Sequence, residues 1–289
     1  MRRILMLCAA LTLALIAAAS SAEIFIDRQP PDDWAEKDVL RLTTFPAVSN
    51  DAALLEVGGK SMLIDGGVRQ WTENVRASLT AMGYGDGVDV IFNTHPHNDH
   101  ISCQIALVEQ GFRAEAFWSS FPEDFNDPYQ KEMTAALTAA GIPYRRIGNG
   151  EEIDFGGAHL IFWYFPEGKD PNAQSCITHI TFGSATMLLT GDASTGAQDY
   201  FHKELGERLR ADILKFPHHA ITVARTKFLN DVAPGFVYIT SLRTGTVKAN
   251  DQLSRHRIPY KHTSMGPLTI VTDGTDWYIW QVYAPYYPH

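Results

Sequence analysis

The stretch Thr94-His95-Pro96-His97-Asn98-Asp99-His100 puts three of the chain's eleven histidines and one aspartate within six residues. Imidazole suits zinc, and a carboxylate suits zinc, iron or manganese, so this is a metal-binding composition. Four ligands packed so tightly are too many for one open catalytic ion, because successive pairs point in different directions. The expectation is two ions, with His95 and His97 on one and Asp99 and His100 on the other. The implied cofactors are two divalent metal ions, zinc or else manganese.

Two other segments carry ligand types at the ends of apolar runs. Leu188-Leu189-Thr190-Gly191-Asp192 is a strand, then a glycine that lets the backbone turn, then a carboxylate. Leu214-Lys215-Phe216-Pro217-His218-His219 is a strand that ends in two imidazoles. Asp192 follows His100 by 92 residues, and His218 follows Asp192 by 26. A dinuclear site needs a bridging oxygen, and a carboxylate between two cations neutralises both, so Asp192 is the expected bridge. The residues leave open whether His218 or His219 is the metal ligand. Three protein ligands leave an open coordination position, the mark of a catalytic rather than a structural metal.

These groups must be delivered to one place. Residues 88–93 are short, β-branched and aromatic, and follow the turn Gly85-Asp86-Gly87, so a buried strand feeds the histidine loop. The apolar spacing of residues 101–112 predicts a helix after it. Residues 52–57 and 60–65 flank Gly58-Gly59 as a hairpin, and the second strand ends in Asp65-Gly66-Gly67. Further strands are expected at 39–45, 115–118, 145–147, 152–155, 159–165, 176–182, 185–189, 212–216, 236–240, 258–262, 267–272 and 277–282. Helices are expected at 71–82, 128–140, 194–210, 222–232 and 251–257. Residues 23–37, with Pro30-Pro31, read as an extended lead-in. Each half is strand-rich first and helix-alternating afterwards. Two sheets packed face to face, with helices outside both, bury this many strands. His179 lies in an alternating strand and reads as structural.

The start of the chain is different in kind. Met1-Arg2-Arg3 is basic, residues 4–19 are apolar, and Ser20-Ser21-Ala22 is a small-residue cleavage site. This is the three-part pattern of a secretory signal peptide. Cleavage after Ala22 leaves residues 23–289 as a single domain, secreted or periplasmic. The leader holds Arg2 and Arg3 and no acid, so the remainder carries 22 basic against 33 acidic side chains, a formal charge of −11. That charge argues against long nucleic acid as a partner. Cys103 and Cys176 could pair in an oxidising compartment or stay as buried thiols.

The His-x-His-x-Asp-His loop resembles the signature of the metallo-β-lactamase superfamily. The Asp192 and His218-His219 segments narrow the likeness to the corresponding domain of ComEC-type competence proteins and their stand-alone relatives. Asn172-Ala173-Gln174-Ser175 is similar to that subgroup's Asn-x-x-Ser element, which stands where other branches place a third histidine. The closing stretch from Ile258-Pro259-Tyr260 to Leu268-Thr269-Ile270 resembles the subgroup too. The resemblance implies an α/β fold, the four-layer αββα sandwich. It implies that Asp65 holds a ligand histidine from behind, that His218 binds metal, and that His219 sits at the rim and donates to substrate. Asn172 and Ser175 would lie near the first metal or the substrate. The chain departs from the pattern where His-His-Gly-Ser becomes His218-His219-Ala220-Ile221, and where Gly-Gln-Gly becomes Val48-Ser49-Asn50. No membrane domain is expected in the mature chain, so DNA uptake does not carry over.

The function these readings favour is a secreted dinuclear hydrolase of a small or short oligomeric phosphodiester. The two ions would share a hydroxide whose pKa they lower, and Asp99 would orient it as well as bind metal. No serine or cysteine nucleophile is needed. The same fold hosts hydrolysis of lactones, β-lactams and other esters or amides, so fold alone does not choose the bond. A metal-stabilised binding protein without turnover is the third alternative. The Asn-x-x-Ser element tilts the choice toward phosphodiesters.

Overall fold

Apolar residues that continue without a polar alternate demand cover on both faces of a strand, and this requirement dictates the architecture. In the computed structural model, residues 22–45 and 51–284 are described. The signal-peptide reading through residue 21 and the Val48-Ser49-Asn50 turn lie outside them.

The strands in chain order are β1 (Ile24–Ile26), β2 (Leu40–Thr44), β3 (Ala52–Val57), β4 (Lys60–Gly66), β5 (Gly87–Asn93), β6 (Arg113–Ser119), β7 (Tyr144–Arg146), β8 (Glu151–Phe155), β9 (Ala158–Trp163), β10 (Ile177–Phe182), β11 (Ala185–Leu189), β12 (Ile213–Lys215), β13 (Phe236–Ile239), β14 (Tyr260–His262), β15 (Leu268–Thr272) and β16 (Trp277–Gln281). The helices are α1 (Thr72–Ala81), α2 (Asn98–Glu109), α3 (Pro128–Ala140), α4 (Thr195–Leu205), α5 (Thr226–Val232) and α6 (Val247–Arg255). Among the described residues one sheet runs β1-β16-β15-β2-β3-β4-β5-β6-β7 and the other runs β14-β13-β12-β11-β10-β9-β8.

Period-two alternation sorts side chains between layers. Leu55, Met62, Phe92 and Met187 point into the core between the sheets. Their strand neighbours Leu54, Leu63 and Ile91 face α2 and α3 instead, against Ile101 and Met133. Leu188 and Leu214 face the helices on the far side, against Phe201 and Phe228. Three apolar layers between four structural layers is the αββα sandwich expected from the sequence.

Several boundaries moved. β1 lies in the stretch read as an extended lead-in; it is three residues long and finds a parallel partner in β16. So short a strand shows no periodicity and exists because the edge of β16 is there to pair with. β14 belongs to the second sheet, whereas β15 and β16 cross back to the first, β15 lying against β2. Helix α2 begins at Asn98, earlier than its apolar spacing suggests, so Asp99 and His100 stand in its first turn. Helix α3 matches its expected span: the Asp127 carboxylate accepts from the amides of Tyr129 and Gln130, Pro128 opens the first turn, and Gly141 closes it at φ 68°. Cys103 and Cys176 are free and buried in different core layers. Burial pushes the Cys103 thiol up to about 12. Among the described residues no helix is long and apolar enough to cross a membrane.

Candidate metal centre

Parallel strands end at the same edge of their sheet, and this places the ligand types together. β4 and β5 are parallel neighbours in the first sheet, as are β11 and β12 in the second. Asp65 stands at the C-terminal end of β4, and the segments that follow β5, β11 and β12 carry His95 to His100, Asp192, and His218 with His219. A cross-sheet hydrogen bond fixes the two edges against each other, Cys176 N donating to Thr94 O at 3.0 Å, and within the second sheet His218 N donates to Gly191 O at 3.2 Å.

The donor atoms converge on one carboxylate oxygen, Asp192 Oδ2. On one side His100 Nε2 lies 3.2 Å from it and His219 Nε2 lies 3.1 Å from it. The two imidazole nitrogens are 3.2 Å apart, and Asp99 Oδ2 is 3.2 Å from His219 Nε2. On the other side His95 Nε2 is 3.9 Å and His218 Nε2 3.7 Å from the same oxygen, with His97 Nδ1 3.1 Å from His95 Nε2. Tetrahedral bonds of the length zinc makes to nitrogen and oxygen put neighbouring ligand atoms about 3.3 Å apart. The tight set matches that spacing.

The rings are also held so that lone pairs meet. Asp65 Oδ2 stands 2.8 Å from His100 Nδ1, and Thr240 Oγ1 stands 3.0 Å from His219 Nδ1. With the proton of His100 on the Asp65 side, its Nε2 offers a lone pair to the space it shares with His219 and Asp192. A buried point where nitrogen lone pairs and a carboxylate oxygen face one another is repulsive without a cation. Asp51, His100, Asp192 and His219 form a buried cluster that could hold a metal ion. Asp51 approaches it from the Nδ1 side of His219, at 3.3 Å.

In the metal-free state protons serve instead. Burial opposes charge on His219, but Asp192 and Asp51 outweigh it and raise its pKa to about 10. His100 is likewise raised well above the usual histidine value by Asp192 and Asp65, against burial. His95 goes the other way, held neutral by burial and by the neighbouring His100. Burial also opposes ionisation of Asp192, yet His219, His100 and Lys215 keep its carboxyl far below the ordinary range.

The backbone at the second histidine motif is unusual. His218, His219 and Ala220 all have positive φ, at 50°, 49° and 59°. Three successive left-handed residues swing the two rings to different depths. His219 is 2% exposed and lies inside with His100, while the His218 side chain is 23% exposed at the mouth. The placement of His219 at the rim is therefore corrected: its ring is packed inside, and His218 is the outer one. Both rings nonetheless face Asp192. Ala220 is buried, its methyl in the outer core, so this position does not line the mouth.

Asn172 and Ser175 have distinct places. Asn172 Nδ2 is 3.3 Å from His218 Nε2, near the opening. Ser175 is buried; its Oγ accepts from Asp192 N at 3.0 Å and sits 3.4 Å from His95 Nδ1, so it faces ligand groups rather than substrate. Gly191 is required here: φ is +45°, and a Cβ would lie 2.3 Å from Ser175 Oγ. His179 stands away from the centre, with Nε2 2.9 Å from Arg210 O.

Two residues at the heart of the cluster carry no metal-motif signature. Lys215, 2% exposed, donates from Nζ to Gly191 O at 2.6 Å and lies 2.5 Å from Asp51 Oδ2 and 3.5 Å from Asp192 Oδ1. Asp51, through its other oxygen, faces His219. A lysine inside the apolar run Ile213-Leu214-Lys215-Phe216 is a signal that could have been read, because an unpaired ammonium is not buried. Asp51 gives no such signal.

The sequence model of the metallo-beta-lactamase superfamily matches residues 46–253. The chain belongs to the metallo-beta-lactamase superfamily. Among curated members, "Recombination protein 2" of Haemophilus influenzae is 23% identical over 226 residues, covering 74% of this chain and 26% of that protein. "Competence protein ComA" of Neisseria gonorrhoeae is 27% identical over 90 residues, covering 31% of this chain and 13% of that one. The chain thus spans about a quarter or less of these relatives. Among solved structures, the metallo-beta-lactamase fold protein YhfI of Bacillus subtilis superposes with a TM-score of 0.54 at 15% identity, covering 78% of this chain and 96% of that one. This superfamily is metal-dependent, in keeping with the buried donor cluster.

Proposed function

We propose that the protein is a dinuclear metal-dependent phosphodiesterase. His95, His97, His218 and Asp192 would hold one divalent ion, and Asp99, His100, His219 and Asp192 would hold the other. The observation that carries this reading is the convergence of two sets of imidazole donors on Asp192 Oδ2. Zinc is the assigned metal, with manganese as the alternative, since imidazole-rich sets with carboxylates accept both. Bound divalent ions supply Lewis acidity and make water a competent nucleophile near neutral pH. The chain's own groups do the rest. Asp65, Thr240 and Ser175 fix the imidazole rings. The partly exposed Asp99 orients the attacking water at the mouth. Asn172, beside His218, donates from Nδ2 toward an oxygen of the substrate. The likeness to a protein named for recombination supports phosphodiester chemistry, and the negative charge favours a short substrate. The N-terminal pattern supports export, with a mature chain starting at Glu23, which N-terminal sequencing of exported protein checks.

The test is a substrate panel with metal content measured in parallel. The metal-loaded protein should hydrolyse bis-p-nitrophenyl phosphate, and chelation should abolish that turnover. Turnover of nitrocefin or a homoserine lactone alone would move the assignment to amide or ester bonds. Bound metal without turnover of any of them would leave a binding protein.

A further inference from the structure

Beside the metal centre, on the His95 side, lies a separate cleft of about 150 Å³ lined by Ser120, Phe121, Arg146, Tyr164 and Gln174 among others. Its position follows from strand register. Ser119 pairs with Asn93, and Arg146 pairs with Ser119. Strands lie about 4.8 Å apart, so Arg146 stands roughly 10 Å from the strand end that leads into His95. The opposite wall is the connection between β9 and β10, where Gln174 directly precedes Ser175, whose hydroxyl faces His95.

The chemistry of the cleft differs from that of the centre. Arg146 Nε donates to Ser120 O at 3.3 Å, and among the described residues no ion pair ties down its terminal nitrogens. Its neighbour Arg145 shows the contrast, paired with Glu151 at 2.7 Å and stacked on Trp118. Arg146 is exposed, so its terminal nitrogens are free to turn toward an incoming anion. Guanidinium geometry suits a phosphate, which it can bind through two parallel hydrogen bonds. The amide of Gln174 is spoken for, donating to Gly168 O at 2.6 Å, so it shapes the wall without competing for the anion. Half-buried Tyr164 lines the same cleft. The volume is well below that of a drug-sized pocket, and holds one small anion rather than a whole base.

We infer that the Arg146 cleft is a subsite for a second phosphate of the substrate, a short distance along the chain from the bond being cut. This rests on the phosphodiesterase reading and deepens it: the preferred substrate is an oligomeric phosphodiester with at least two phosphates. The test uses the metal-loaded protein, the Arg146→Ala and Arg146→Lys variants, and two readouts. In equilibrium binding, thymidine 3′,5′-bisphosphate should bind at least tenfold tighter than thymidine 5′-monophosphate. Arg146→Ala should erase that preference and Arg146→Lys should keep part of it, with metal content unchanged. In turnover, Arg146→Ala should raise KM for a 5′-phosphorylated dinucleotide about tenfold and leave bis-p-nitrophenyl phosphate kinetics unchanged. Turnover of phosphodiesters with no bisphosphate preference, or with both substrates equally affected by the variant, overturns the subsite and leaves the enzyme assignment standing. A bisphosphate preference that depends on Arg146 without any phosphodiester turnover upholds the anion site and overturns the enzyme assignment.

Discussion

Replacing Lys215 by methionine removes a buried cation that faces both Asp51 and Asp192, at 2.5 and 3.5 Å, and keeps most of the side chain's length. Against the cost of burial, those two carboxylates raise the pKa of Lys215, so it is charged across the working range. Breaking one partner out of a buried ion pair costs about 3–5 kcal/mol, because the other charge stays buried without compensation. At roughly 2–4 °C per kcal/mol for a domain of this class, the metal-free protein should melt on the order of 10 °C lower. Asp51→Asn should cost a similar amount. The double variant should cost about 2–3 kcal/mol less than the two singles together, since each has already lost the same interaction. Divalent metal should recover part of the Lys215→Met deficit by returning positive charge beside Asp192. The assay is thermal and urea unfolding of chelator-treated and metal-loaded protein, followed by circular dichroism. Single variants within about 1 kcal/mol of the parent, or costs that simply add, would refute the assignment of Lys215 and Asp51 as one unit.

Gly191→Ala should destabilise by about 2 kcal/mol or more and reduce metal content, because the new methyl strikes Ser175 Oγ and the backbone there has φ +45°; unfolding and elemental analysis together check it. His219→Ala should lose the ion assigned beside Asp99 and His100, whereas His218→Ala should weaken only the other, read as metal stoichiometry by mass spectrometry. Metal affinity should rise with pH, about tenfold per unit for each proton displaced, because His219 holds its proton to about 10 in the absence of metal; chelator competition from pH 6 to 9 measures the slope. For stability the sign is fixed by both kinds of group. The raised His219 contributes fully below its unfolded value of 6.5 and its contribution is lost as pH climbs to about 10, while the lowered Asp192 contributes above 3.8 and is lost as pH falls. His95 and His218, held neutral by burial, take up protons on unfolding below 6.5, so metal-free protein should be most stable near pH 6 to 7, which a melting series in buffers of pH 3 to 10 checks.

Residue types and their spacing were enough for the ligand types, their grouping and the layered fold. Histidines and an aspartate at i, i+2, i+4 and i+5 after an apolar strand are local facts, and so is the alternation that sends Leu54 and Leu55 to opposite sides of one sheet. Depth and partnership came from packing between distant segments. Nothing local distinguishes His218 from His219; the three left-handed residues at 218–220 do, and they are set by how the strand end of β12 meets Gly191 across the sheet edge. Asp51 and Lys215 are 164 positions apart and share no pattern, yet they pair because two sheets bring their edges together. A charge is acceptable inside a protein only when its counter-charge is also there, and the identity of that counter-charge is a property of space, not of spacing.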